Sequence, residues 1–136
     1  MKYWLMKSEP DVFSIDHLAK SPGKTGSWEG VRNFQARNFM KAMKKGDLAF
    51  IYHSGDDKAV MGISKVLKEA YPDPKDQEWL AVDLGIDKKL KNPVTLAAVK
   101  ATKKLADMVL VRVSRLSVQP VKPEEFDQIL ALSEGK

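Results

Sequence analysis

Apolar and polar positions along the chain repeat with two different periods, and each change of period marks a change of element. "KYWLMK" (2–7) is short, aromatic and apolar and predicts a first strand. Pro10 stops it. In "SEPDVFSIDHLAK", Ser14 suits the cap of a short helix through Ala19, with Ile15, Leu18 and Ala19 facing inward. "KSPGKTGSWEG" has no period and is punctuated by glycine, which predicts a loop. From Asn33 the period becomes helical: Ala36, Met40 and Met43 fall on one face, and Arg37, Lys41 and Lys44 repeat that spacing on another. Asn33 suits the N-cap and Gly46 the residue after the C-cap.

"DLAFIYHS" (47–54) returns to a period of two, with Leu48, Phe50 and Tyr52 on one side and Ala49, Ile51 and His53 on the other. "SGDDK" reads as the turn of a hairpin into a second strand over 59–70. "YPDPKD" (71–76) predicts a loop, "EWLAVDLGIDKKL" (78–90) a strand, and "NPVTLAAVKAT" a short helix capped by Thr95. The β-branched run "MVLVRVSRLSVQPV" (108–121) predicts a long strand. "KPEEFDQILAL" predicts a helix with Pro123 in its first turn, acids at its positive end, and Phe126, Ile129 and Leu130 inward. About five strands with helices at irregular intervals imply a mixed, curved or barrel-like sheet, not a regular wound βαβ fold.

The length of 136 residues suits one domain, spanning 1–136, with a proper core. No apolar run approaches the roughly 18 residues of a membrane span. The apolar run near the amino end is short and broken by Lys7 and Glu9, so it predicts a strand, not a signal peptide, and a cytoplasmic protein. There is no cysteine, which excludes disulfides, thiolate nucleophiles and cysteine zinc sites. The two histidines, His17 and His53, have no metal-site spacing, and no cofactor is implied. A formal charge of +5 and a pI of about 9.3 suit a polyanionic partner, although a lysine excess also serves solubility.

Candidate chemistry is sparse. Tyr52-His53-Ser54 invites a hydrolase reading, but strand neighbours point to opposite faces and no nucleophile elbow exists. Phosphate-loop and dinucleotide glycine motifs are absent. Lys7, Ser8 and Glu9 end a strand just before a proline, where they can face a cavity mouth or simply form a polar strand exit. Arginines within "VRVSRLSVQP", Arg112 and Arg115, need acceptors, either a carboxylate or a ligand. Trp28 is the most informative residue. Set in "GSWEG" beside arginines, it suits stacking on a flat base with cations steering phosphates, or a lid that seals the barrel.

"YWLMKSEPDVFSIDHL", "WEGVRNFQARNFM", "KGDLAFIYHS", "EAYPDP", "PVTLAAVK" and "SRLSVQPV" together resemble the EVE-domain family of the PUA-like superfamily, from about Tyr3 to Leu132. The resemblance implies an α+β fold, a PUA-like mixed β-barrel of about five to six strands with surrounding short helices, related to the YTH readers of methylated RNA. It implies a non-enzymatic module binding nucleic acid, DNA or RNA, that carries a modified base. Carried over by motif, Lys7, Ser8 and Glu9 would line the base pocket and Trp28 would form its stacking wall. Arg32, Asn33, Arg37 and Asn38 would form the rim and phosphate contacts. Tyr52, His53 and Ser54 would contribute from the opposite strand, with Ser114, Arg115 and Ser117 from the last. Phe34 stands where many relatives carry Tyr, which removes a hydroxyl. Two rivals remain: a sensor of a free nucleobase-like molecule, and a small hydrolase using His53 with Ser54 or Glu9.

Overall fold

The computed structural model describes residues 2–9, 13–20, 23, 25–29, 31, 33–113 and 115–135, without the side chain of His17. Arg32 and Ser114, both expected at a binding site, lie outside the described residues.

Alternation decides the centre of the fold. In β1 (Tyr3–Ser8), Trp4 and Met6 enter one hydrophobic cluster and Leu5 another. β3 (Leu48–His53) repeats this division, with Ala49 and Ile51 beside the first pair and Phe50 and Tyr52 beside Leu5. These strands are buried on both faces, which is why they read as nearly continuous apolar runs. They pair in parallel, from Tyr3 opposite Leu48 to Ser8 opposite His53.

Around them, β4 (Ala59–Asp73) and β5 (Asp76–Thr95) form a long antiparallel hairpin. β2 (Thr25–Trp28) and β6 (Val118–Val121) form the two edges, giving the order β2-β5-β4-β3-β1-β6. Every pairing except β1 with β3 is antiparallel. The α+β class expected from the sequence holds. The expected barrel is an open mixed sheet of six strands that is not closed by hydrogen bonds.

One face is covered by α1 (Ile15–Lys20) and α2 (Phe34–Ala42), the other by α3 (Leu96–Ala101), a 3-10 turn (Lys103–Leu105), α4 (Val109–Arg112) and α5 (Pro123–Ser133). α1 lies so close to β4 that a Cβ at Gly62 would stand 2.8 Å from the Ile15 side chain and 2.9 Å from the Lys88 carbonyl. The predicted caps hold where a polar side chain makes them. Asn33 accepts from the Ala36 N–H at 2.9 Å and Thr95 from the Ala98 N–H at 3.1 Å. Glu125 reaches back to the Lys122 N–H at 2.9 Å.

Four expectations need correcting. The stretch read as a glycine-punctuated loop contains β2, which pairs with β5 from Thr25 opposite Gly85 to Trp28 opposite Val82. The Pro/Asp loop shrinks to a two-residue turn, because Tyr71–Asp73 continue β4 and Asp76 begins β5. Gly46, with φ of +95°, belongs to the turn before β3, since α2 already ends at Ala42. The strand expected over 108–121 is a helical turn, a bend and a four-residue strand. Leu105, Met108 and Leu110 are drawn into the second cluster, and the Gln119 amide donates to the Leu116 carbonyl at 2.7 Å, holding the bend.

Candidate functional site

Parallel pairing of β1 with β3, and antiparallel pairing of β1 with β6, bring the ends of the first two strands to the start of the third. The Lys7 N–H donates to the Ser117 carbonyl at 2.8 Å, and both the N–H and hydroxyl of Ser54 donate to the Ser8 carbonyl, at 2.8 and 3.2 Å. Residues far apart in sequence therefore meet at one end of the sheet. Beyond that end lies an open cavity of about 520 Å³, within the range of small-ligand sites. Lys7 and Ser8 line it from β1, Glu9 from just beyond that strand, Ser117 from the approach to β6, and Ser27 and Trp28 from β2. The two edges of the sheet thus face one cavity, which requires the sheet to curl even though it does not close.

Trp28 has two roles at once. It is 6% exposed, sits in the first cluster with Met6 and Ile15, and meets the Phe13 ring edge-on at 5.1 Å. It also lines the cavity, and its indole N–H is buried without an acceptor among the described residues. The Ser8 hydroxyl is likewise buried without a partner. Such groups are normally satisfied, since an unpaired buried donor costs about 1–3 kcal/mol. β2 is pinned beside them by Ser27, whose hydroxyl lies 2.9 Å from the Tyr71 hydroxyl, which in turn donates to Asp83 at 2.5 Å. Burial, and then that Asp83 carboxylate, push the Tyr71 pKa up.

The rim carries charges of both signs. Lys75, in the β4–β5 turn, lies 3.4 Å from Glu29, and Lys7 and Glu9 stand on the other strand. Burial pushes the Lys7 pKa below its ordinary value, and its ammonium lies 5.4 Å over the Tyr52 ring. Burial pushes the Tyr52 pKa up.

The other expected residues are distributed more widely. His53 is buried, accepting the Ile15 N–H on Nε2 at 3.1 Å, so Nδ1 carries the proton that faces Asp57 at 3.2 Å. Both ring nitrogens are therefore engaged, Nε2 tying the start of α1 to β3 and Nδ1 holding the turn that follows β3. Ser54 is occupied with Ser8, and Tyr52 packs in the second cluster. Asn33 is spent on its cap, and Asn38 is exposed on α2. Arg37 donates through Nη1 to the Glu78 carbonyl at 2.9 Å. Arg115 is exposed in the bend before β6. Lys44, expected on the helical basic face, lies beyond α2 beside Lys2 and Asp47, at the opposite end of the sheet from the cavity. Sequence reasoning missed Phe13, Ser27, Glu29, Val31 and Lys75 as cavity residues. Ser27, Glu29 and Val31 adjoin Trp28 in sequence and Lys75 lies in the Pro/Asp turn, but Phe13 carries no such signal and nothing local joins these segments.

The EVE domain matches residues 2–132. Human thymocyte nuclear protein 1 is 39% identical over 166 aligned residues, covering 97% of this chain and 74% of that protein. The NMR structure of Rpa0253 from Rhodopseudomonas palustris has a TM-score of 0.93 at 48% identity, covering 98% of this chain and 94% of that one. The crystal structure of the human THYN1 protein in complex with DNA containing 5-methylcytosine has a TM-score of 0.93 at 38% identity, covering 100% of this chain and 99% of that one. The cytoplasmic placement expected from the sequence is overturned by the human and mouse relatives, which are named thymocyte nuclear protein 1. A short, charge-interrupted apolar run speaks against a signal peptide and carries no information about the compartment.

Proposed function

The chain belongs to the EVE-domain family, and from that premise we propose that it is a non-enzymatic module that takes a modified base of a nucleic acid into the cavity beside Trp28. One observation carries this reading: the indole N–H of Trp28 and the hydroxyl of Ser8, both residues of the cavity wall, are buried with no partner among the described residues. A planar ligand offers a flat face to the indole, and its polar edge is the acceptor these two groups would meet on a small shift of the wall. Extruding a base from a duplex costs a few kcal/mol, and stacking on an aromatic returns about 1–3 kcal/mol. The human relative's complex with 5-methylcytosine DNA supports that ligand class.

The test is the affinity for DNA and RNA oligonucleotides with and without 5-methylcytosine. Tighter binding of one methylated oligonucleotide than of its unmodified counterpart, lost in Ser8→Ala, is the expected result. Equal binding of modified and unmodified strands rejects the reading. The rim of two lysines and two glutamates favours a second one, a free nucleobase-like ligand, because it lacks the uniformly basic edge that phosphates attract. Binding of free 5-methylcytidine as tightly as the oligonucleotide selects it. Catalysis by His53 has little support, since both ring nitrogens are engaged and Ser54 bonds to Ser8. Incubation with oligonucleotides and nucleotides is expected to yield no product from wild type, nor any difference in His53→Ala.

A further inference from the structure

We infer that Phe34, Arg37 and Trp79 form a second stacking surface, which receives the nucleobase next to the one held in the cavity. Phe34, in the first turn of α2, is 64% exposed. Its ring lies 5.0 Å from that of Trp79, tilted by 33°. The Arg37 guanidinium stands 4.8 Å from the Phe34 centroid and 5.5 Å from that of Trp79. The bond from Arg37 to the Glu78 carbonyl, at 2.9 Å, holds it there. An exposed ring thus stands over a half-buried ring and a half-buried, fixed cation, and none of the three belongs to either core cluster.

That combination suits one occupant. A nucleobase offers a π-face to Phe34, and its backbone offers a phosphate to Arg37 and to Lys41 one helical turn further on. A purely apolar partner would have to desolvate the guanidinium without pairing it. The surface also adjoins the cavity along two chain segments. Phe34 is three residues beyond Val31, and Trp79 four beyond Lys75, both of which line the cavity. Fully extended chain bounds those separations at about 11 and 14 Å, a reach suited to neighbouring nucleotides.

This inference rests on the proposed base-binding role of the cavity, and the test separates the two. Affinities of wild type, Phe34→Ala and Phe34→Trp are measured for 5-methylcytosine DNA, duplex and single-stranded, and for the same DNA with abasic residues flanking the methylated base. Phe34→Ala is expected to weaken binding of the intact DNA at least about fivefold, and Phe34→Trp to retain it. On the abasic-flanked DNA, wild type and Phe34→Ala are expected to bind equally. An unchanged affinity of Phe34→Ala for intact DNA, or an equal loss on both DNAs, overturns the stacking surface alone. Absence of binding by wild type overturns the base-binding reading, and the second surface with it. Thermal melting checks that the exposed substitution leaves the fold intact.

Discussion

The two faces of the sheet are built from the same alternating strands, yet they are finished differently. On the second face, Phe126 stacks between Tyr3 and Phe50, with ring centroids 4.2 and 4.7 Å apart. Polar groups around that core are mostly paired: Asn92 donates twice to Ser133, and Glu125 is spent on its own helix start. The first face has a comparable apolar cluster, but it opens onto a cavity and leaves the Trp28 N–H and the Ser8 hydroxyl without partners. Two other such atoms stand among the described residues: Arg37 Nε on α2, outside the cavity wall, and Gln119 Oε1, which alternation along β6 places toward the second face, where its amide nitrogen is already bonded to Leu116. The lesson concerns where stability is withheld. Apolar burial is similar on both sides, and among the described residues the unpaired buried donors lie on the side with the cavity, two of them in its wall.

Alanine at a large aromatic on each face gives the largest effects and separates them most sharply. Phe50→Ala is expected to cost about 3–5 kcal/mol of stability, with no change in the affinity of the folded protein for 5-methylcytosine DNA. Trp28→Ala is expected to cost a similar amount and to lose binding as well, because the residue belongs to both core and cavity wall. Denaturant midpoints and titrations on the same samples read both quantities. Loss of binding in Phe50→Ala would erase the difference between the faces.

Trp28→Phe sharpens the comparison further. It keeps a ring in the cluster and deletes the unpaired N–H, so stability should change by less than about 1.5 kcal/mol. Binding should still weaken by about tenfold, corresponding to about 1.4 kcal/mol. Full affinity in this variant would leave the indole N–H without a role in recognition.

Asp47 gives a smaller, pH-dependent effect at the end of the sheet away from the cavity. Burial alone would raise its pKa, but donors from Trp4 Nε1 at 3.0 Å, Lys44 N–H at 3.0 Å and Lys2 N–H at 3.1 Å outweigh it, and the net shift is downward. Its contribution is therefore fully present above the unfolded value of about 3.9 and is lost as pH falls through the lower folded value. Urea midpoints of wild type should fall more steeply between pH 5 and pH 2, on the order of that window, than those of Asp47→Asn. Equal slopes would remove the carboxylate from the account, and affinity at neutral pH should be the same in both.

The smallest effect is expected from exposed lysines. Lys41→Gln should lower the slope of log affinity against log salt by about one if that side chain contacts a phosphate. Lys44→Gln, at the far end of the sheet, should lower it less. An unchanged slope in both would leave this side of α2 as solvated surface.

Local residue patterns determined much of this protein. The N-cap of Asn33, the alternation of β3, the hairpin into β4, the Thr95 cap and the Pro123 start of α5 are written within a few residues each, because caps and periodicity depend on near neighbours. The same holds for Lys7, Ser8 and Glu9 at a strand exit. Other features depended on partners distant in sequence. Thr25–Trp28 have no strand pattern of their own, and they are a strand because the edge of β5 supplies hydrogen bonds and Leu18 and Phe13 supply packing. The Val-rich run after Met108 has every local mark of a strand, yet burial of Leu105, Met108 and Leu110 together and the Gln119 amide turn it into a helix and a bend. The site shows the same division. Lys7, Ser8, Trp28 and Ser117 were named from motifs in the sequence, but only the curl of the sheet brought Trp28 on one edge to Ser117 beside the other, because strand pairing and curvature are set by long-range contacts.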